Sequence, residues 1–273
     1  MLGFLGSFLP WAAATLIPSF VGLLLTVSAS KHVKAKYLAA FSIGVFLWFF
    51  VDTIGNAASL DVVDGFLASV AQIGTVGLFV IGLVAVFVID RDRNLLSPKS
   101  AIGKHGIAIP LLVSVSIGIH GLAEGGAFGA FAAATTSTSL IDAFSGSPVG
   151  SVNAIVAYVL HKGLEPIMVG TCYCAYAKDH AKNALGRVKD LLLLTMTFGI
   201  TSLIGAASGY YTAYDVTYLY ALGTGTSLLA LIRLAGPLFD NAQPSRSAEP
   251  IKISILIALG LLSLYVATLF HSG

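Results

Sequence analysis

Two apolar stretches of the chain, VSIGIHGLAEGGAFG at 115–129 and YVLHKGLEPIMVG at 158–170, each carry a histidine and, four residues later, a glutamate. The chain has only three glutamates, and Glu124 and Glu165 are the two in apolar surroundings. Residues four apart share a helix face, so His120 sits beside Glu124 and His161 beside Glu165. An ionised side chain at the centre of a bilayer costs at least ~2.5–3.5 kcal/mol, and two carboxylates also repel each other. A divalent cation relieves both problems. Imidazole with carboxylate suits Zn²⁺ and, by ligand type, also Fe²⁺, Co²⁺, Ni²⁺ or Mn²⁺. One such pair alone reads equally well as a hydrogen bond between helices. Two pairs at one spacing, on consecutive antiparallel spans and at matching depth, point to a metal held mid-membrane by His120, Glu124, His161 and Glu165.

The elements that must position these residues follow from composition. Of 273 residues, 56% are hydrophobic and 10% charged, too few charges to coat a water-facing surface. Apolar runs at 10–29, 37–58, 66–89, 106–131, 149–176, 188–210, 215–235 and 250–270 are each long enough to cross. They are continuously apolar rather than alternating, which excludes a barrel and predicts helices. The expected fold is one all-α domain over 1–273 with eight transmembrane helices and no separate soluble domain. The first run lacks a basic segment before it and reads as a retained span, not a cleaved signal. Fourteen of the fifteen basic residues fall in the odd-numbered connections or the span ends beside them; the fifteenth is Lys162, inside a span. That bias places both termini outside. It marks topology and implies no nucleic-acid partner. The lone pair Cys172 and Cys174 makes no disulfide framework.

Local features around the motifs add detail. Gly118, Gly121, Gly125, Gly126 and Gly129 crowd the fourth span, and their spacing lets a neighbouring helix approach closely, as convergence of four ligands requires. Pro166 directly follows Glu165 and should open the helix there. Asp52 and Asn56, one turn apart on the second span, either line a path, accept from Lys162, or join two helices by a hydrogen bond. Asn153 shares the face of His161 toward the outside, and Ser116 shares that of His120 toward the inside; each is a pathway or a packing residue. Cys172, Cys174 and His180 near the inner face would suit a soft metal on its way out. The basic residues around them suit headgroup anchoring.

The arrangement resembles the ZIP (ZRT/IRT-like) family of divalent-metal transporters. HGLAEG at 120–125 is similar to that family's fourth-span H-N-x-x-[ED]-G. HKGLEP at 161–166 is similar to its fifth-span [HQ]-[DEN]-x-x-E-G. The resemblance implies eight spans, both termini outside, and metal ligands at His120, Glu124, His161 and Glu165. Family members hold a second metal through the residue after each histidine, which here is Gly121 and Lys162. The chain therefore looks like a divergent member with one metal site, Lys162 standing as a built-in positive charge that partly neutralises the carboxylates when the metal leaves. A snorkelling lysine is the other reading. The family's proline before each motif glutamate is absent, and RDRNLLSPKSAIGKH, with His105 alone, replaces its histidine-rich loop.

What the resemblance implies is a transporter of divalent transition metals in the cell membrane, running toward the cytosol. Its mobile unit would be spans one, four, five and six, its scaffold the rest, often as a homodimer. No nucleotide-binding motif is present to drive it. The rivals are a metal-sensing or structural membrane subunit, with Lys162 paired to Glu124 or Glu165 and no metal, and an intramembrane zinc metallohydrolase. The latter lacks H-E-x-x-H, and the chain is not expected to be an enzyme.

Overall fold

The computed structural model describes residues 4–57, 70–134 apart from 93, 95–96, 98, 101–103 and 105, 152–239 apart from 178–179, 181–182 and 213, and 248–269. Among them every regular element is a helix. The segments are α1 (Phe4–Ala29), α2 (Ala35–Ala57), α3 (Val70–Arg91), α4 (Ala108–Ala134), α5 (Val152–Leu164), α6 (Pro166–Tyr176), α7 (Ala184–Tyr211), α8 (Thr217–Phe239) and α9 (Ala248–Leu269). This is an all-α polytopic membrane protein.

Six stretches are long and apolar enough to cross: Phe8–Ala29, Ile73–Arg91, Ala108–Ala134, Ala184–Tyr211, Thr217–Gly236 and Glu249–Ala267. The other two expected crossings are α2, whose apolar part Ala35–Val51 is shorter, and the α5–α6 pair, broken at Glu165. Chain ends of helices are capped where they leave the apolar region. The Asn183 side chain accepts from Gly186 N–H at 2.7 Å to start α7, and Asp215 accepts from Thr217 N–H at 2.9 Å before α8.

Helix α4 is the centre of the bundle, with 61% of its span buried, whereas α3 buries 11% of its own. The apolar side chains of Ile73, Val76, Val80, Val84 and Phe87 face outward from α3, as lipid permits. Packing divides the helices into two groups. In one, α4 lies along α7, while α1 packs on α5, α6 and α7; in the other, α2 packs on α9 and α8, and α3 on α8. The main seam between the groups is α4 against α8, with α6 touching α2 beside it.

At one end of the second group two ion pairs tie its helices together. Lys36 of α2 pairs with Glu249 of α9, and Arg233 of α8 donates to Asp90 of α3 with Nε at 3.0 Å. Tyr176 at the end of α6 donates to the Arg233 carbonyl at 2.8 Å. These contacts join the start of α2 to that of α9, and the end of α8 to those of α3 and α6.

The glycines of α4 act differently from the sequence expectation. An added Cβ at Gly118 would meet the Phe198 carbonyl at 2.8 Å, and at Gly125 and Gly129 it would strike the carbonyls of Ser202 and Ala206. All of these belong to α7. The glycine face therefore seats α7, and the ligand-bearing α5–α6 segment comes to another face of α4. The physical reason is that close backbone approach suits a long parallel seam, whereas glutamate and histidine need room for their side chains.

Candidate metal centre

Each half of the site is a single helical turn. On α4, the Nε2 of His120 lies 3.4 Å from Glu124 Oε1. At the α5–α6 junction, the Nε2 of His161 lies 3.0 Å from Glu165 Oε1. The halves face each other, with His161 Nε2 3.3 Å from Glu124 Oε1 and His120 Nε2 3.9 Å from Glu165 Oε1. The four ligand atoms lie within 4.8 Å of one another, and these residues form the metal-capable group among the described residues. They are deep in the bundle: Glu165 is 0% and His120 1% exposed.

These spacings can be compared with a coordination shell. A tetrahedral ion with bonds of about 2.0–2.1 Å has ligand–ligand edges of about 3.3–3.4 Å. The four cross-distances of 3.0, 3.3, 3.4 and 3.9 Å bracket that edge. These are the four nitrogen–oxygen separations, and the group of two imidazole nitrogens and two carboxylate oxygens could hold a metal ion. All four sequence-assigned ligands are brought together.

The remaining carboxylate oxygens are turned the other way. Lys162 donates to Oε2 of Glu124 and to Oε2 of Glu165, the latter at 2.7 Å. Its side chain is 0% exposed, so it does not snorkel. The Tyr158 and Phe198 rings lie 5.9 and 5.8 Å from its ammonium, at the outer reach of a cation–π contact. Each glutamate is shared, one oxygen toward the histidines and one toward the lysine.

The junction itself follows from Pro166. It has no N–H, so the Lys162 carbonyl four residues back loses its helical donor. A buried carbonyl in lipid must find another. It does so in α1, where the Ser19 hydroxyl divides its proton between the Thr15 carbonyl at 2.6 Å and the Lys162 carbonyl at 3.1 Å. Glu165 N–H still donates to the His161 carbonyl at 3.1 Å, and Glu165 keeps helical dihedrals, so the axis continues through the break. Gly22 allows this approach, because a Cβ there would strike the Gly163 carbonyl. Ser19→Ala leaves the Lys162 carbonyl unsatisfied and should cost about 1–3 kcal/mol, read as a lower thermal midpoint of the purified protein.

Several residues around the site were not marked by the sequence reading. The His120 ring is held between Phe49, with centroids 4.5 Å apart at 71°, and Tyr220, 5.3 Å away. Gly223 of α8 backs the same histidine, since a Cβ there would lie 2.7 Å from the His120 Cα. The Tyr158 hydroxyl hydrogen-bonds Thr15 at 2.7 Å. The one available signal was the run of small and hydroxyl residues on α1, Thr15, Ser19, Gly22 and Thr26, spaced three and four apart.

Other sequence assignments resolve as follows. The side chains of Asp52, Asn56 and Asn153 lie outside the described residues. Ser116 is fully buried; its hydroxyl donates to the Leu112 carbonyl at 2.6 Å, and its own carbonyl accepts from Thr226 at 2.7 Å. That is a helix-packing arrangement. Cys172 and Cys174 are free and buried. His180 pairs instead with Asp190 at 3.0 Å, on the oxygen to which Tyr173 donates at 2.8 Å.

No family model and no curated protein matches the chain. What the cluster can do is therefore read from its own atoms. A buried cage of two nitrogens and two oxygens, mid-way along helices that span a membrane, can bind a cation in a place water alone could not carry it.

Proposed function

We propose that the chain is a divergent ZIP-type transporter that moves divalent transition-metal ions, Zn²⁺ foremost, across the cell membrane into the cytosol. The observation that carries this reading is the convergence of His120, Glu124, His161 and Glu165 inside the bundle, with their ligand atoms within 4.8 Å of one another. A set of two imidazole nitrogens and two carboxylate oxygens suits Zn²⁺ better than ions that demand six oxygens; Fe²⁺, Co²⁺, Ni²⁺ and Mn²⁺ are the competitors. A site near the middle of the membrane on a broken helix is general transporter design. By the same resemblance α1, α4, α5–α6 and α7 would form the moving unit and α2, α3, α8 and α9 a scaffold, with a homodimer formed through the scaffold. The four protein ligands leave no corner for an attacking water, which favours a carrier over a metallohydrolase.

The bridges from Lys162 to both glutamates favour a second reading, a structural ion-pair cluster that holds no metal. Uptake into vesicles reconstituted with the purified chain separates the two. Zn²⁺, Fe²⁺, Mn²⁺, Co²⁺ and Ni²⁺ are offered in turn, with Glu124→Ala/Glu165→Ala as the control. The expected result is Zn²⁺ accumulation that the double variant and external chelator both abolish. A folded wild-type protein that neither binds nor passes any of these ions would establish the structural reading instead.

A further inference from the structure

One of the four ligands is held differently from the rest. The hydrogen bonds and ion pairs of Glu124, His161 and Glu165 all stay within α4 and the α5–α6 segment. His120 also faces the other helix group. Its ring meets the Phe49 ring of α2 edge to face, with centroids 4.5 Å apart at 71°, and the Tyr220 ring of α8 lies 5.3 Å away. Phe49 is 0% and His120 1% exposed, so neither ring has solvent to turn into. The α8 backbone closes the pocket, because a Cβ at Gly223 would lie 2.7 Å from the His120 Cα and 2.9 Å from its N. One turn back along α4, Thr226 of α8 donates at 2.7 Å to the Ser116 carbonyl, which is also the acceptor for the His120 N–H in the helical ladder. Helix α8 thus fixes the level of His120, and α2 fixes the turn of its ring.

From these contacts we infer that Phe49 is a positioning residue of the metal centre, acting through His120 from the opposite helix group, so that the site is complete only while α2 and α8 are docked on α4. The inference rests on the metal-site reading above and deepens it. An imidazole turns about two single bonds, and a ring left free to turn must be ordered anew each time an ion binds. Phe49 removes that freedom in advance. A slide of the first helix group along the second would keep the other three ligands together and strip His120 of its walls. Ion binding and docking are therefore linked: docking tightens ion binding by the same factor by which the ion tightens docking.

The test is equilibrium dialysis of the purified full chain against Zn²⁺, with thermal unfolding measured alongside. Phe49→Ala should weaken Zn²⁺ binding by about 10–100-fold, the range for groups that orient a metal ligand. Phe49→Leu keeps bulk behind the ring and should stay within a few-fold of wild type. Leu264→Ala empties an equally buried place on α9; it should lower the thermal midpoint and leave the affinity alone. Co²⁺ gives a spectroscopic reading of the same site. Its visible bands, strong in four-coordinate and weak in six-coordinate surroundings, should fade in Phe49→Ala and persist in Phe49→Leu. Wild-type affinity in Phe49→Ala, or an equal loss in Leu264→Ala, would reduce Phe49 to a packing element and overturn the inference. Where Phe49→Ala does not fold, para-fluorophenylalanine in place of Phe49 keeps the ring. Its fluorine resonance should move with Zn²⁺ at the affinity found by dialysis, and a resonance indifferent to saturating Zn²⁺ would overturn the inference by itself. Wild type that binds no Zn²⁺ would remove the metal-site reading, a different outcome from a Phe49→Ala protein that binds as wild type does.

Discussion

Glu165→Ala should lose Zn²⁺ binding by at least about a hundredfold and destabilise the protein by about 1–3 kcal/mol. The affinity loss follows from its place in the cage. Its Oε1 stands 3.0 Å from His161 Nε2 and 3.9 Å from His120 Nε2, so the variant lacks a corner that nothing nearby replaces. Even groups that only orient a metal ligand are worth about 10–100-fold, and a ligand itself should exceed that. The stability loss has a separate origin. Glu165 is 0% exposed and takes a hydrogen bond of 2.7 Å from Lys162, itself 0% exposed. Its removal takes away one of the two carboxylates that Lys162 holds and leaves Glu124 as the remaining partner of the buried ammonium. Glu124→Ala provides the contrast. Its side chain is 16% exposed, so affinity should fall as far while stability falls less. Equilibrium dialysis with Zn²⁺ and thermal unfolding in one detergent measure the two quantities independently. Unchanged Zn²⁺ affinity in Glu165→Ala would rule out the four-ligand cage.

Gly125→Ala is expected to cost about 3 kcal/mol and to weaken Zn²⁺ binding, although it adds one methyl group and touches no ligand. The added Cβ would collide with the Ser202 carbonyl of α7 and lie 2.8 Å from Ala206 N. Both obstacles are backbone, so no side chain can swing away, and α4 must move off α7. That motion carries His120 and Glu124, which precede the position on α4 within two turns. Overpacking of a tight core costs about 1–3 kcal/mol, and a rigid obstacle puts this case at the upper end. Gly121→Ala meets a different neighbour, the Ser202 hydroxyl, and should be rescued by Ser202→Gly. Gly125→Ala should not be rescued that way. Gly77→Ala on α3 is the control: nothing lies within 4 Å of its Cβ position. Its stability should be unchanged or raised by up to about 1 kcal/mol, as glycine-to-alanine in an unobstructed helix allows. Thermal unfolding across this set would refute the seam if Gly125→Ala behaved like Gly77→Ala.

The ligand set and the helical class were legible in the chain because they depend on local geometry. Histidine and glutamate four apart must share a face of any helix, and two such pairs on consecutive antiparallel spans meet at one depth. Continuous apolar runs leave helices as the open-chain solution in lipid. The break at Pro166 was equally local, since a proline removes a specific donor from a specific carbonyl.

The partners of those features were settled only by the tertiary structure. Helices that are apolar on every side give no indication of which face turns inward. The glycines of α4 announced a close approach without saying that α7, and not α5–α6, would make it. The break announced an orphan carbonyl at Lys162 without naming Ser19 of α1 as its donor. Lys162 was marked as a charge beside the ligands, yet its grip on the outer oxygens of both glutamates depends on the rotation of α4 against the α5–α6 segment. Spacing along one helix fixes which side chains travel together. How each helix is turned about its axis is decided by packing against all the others.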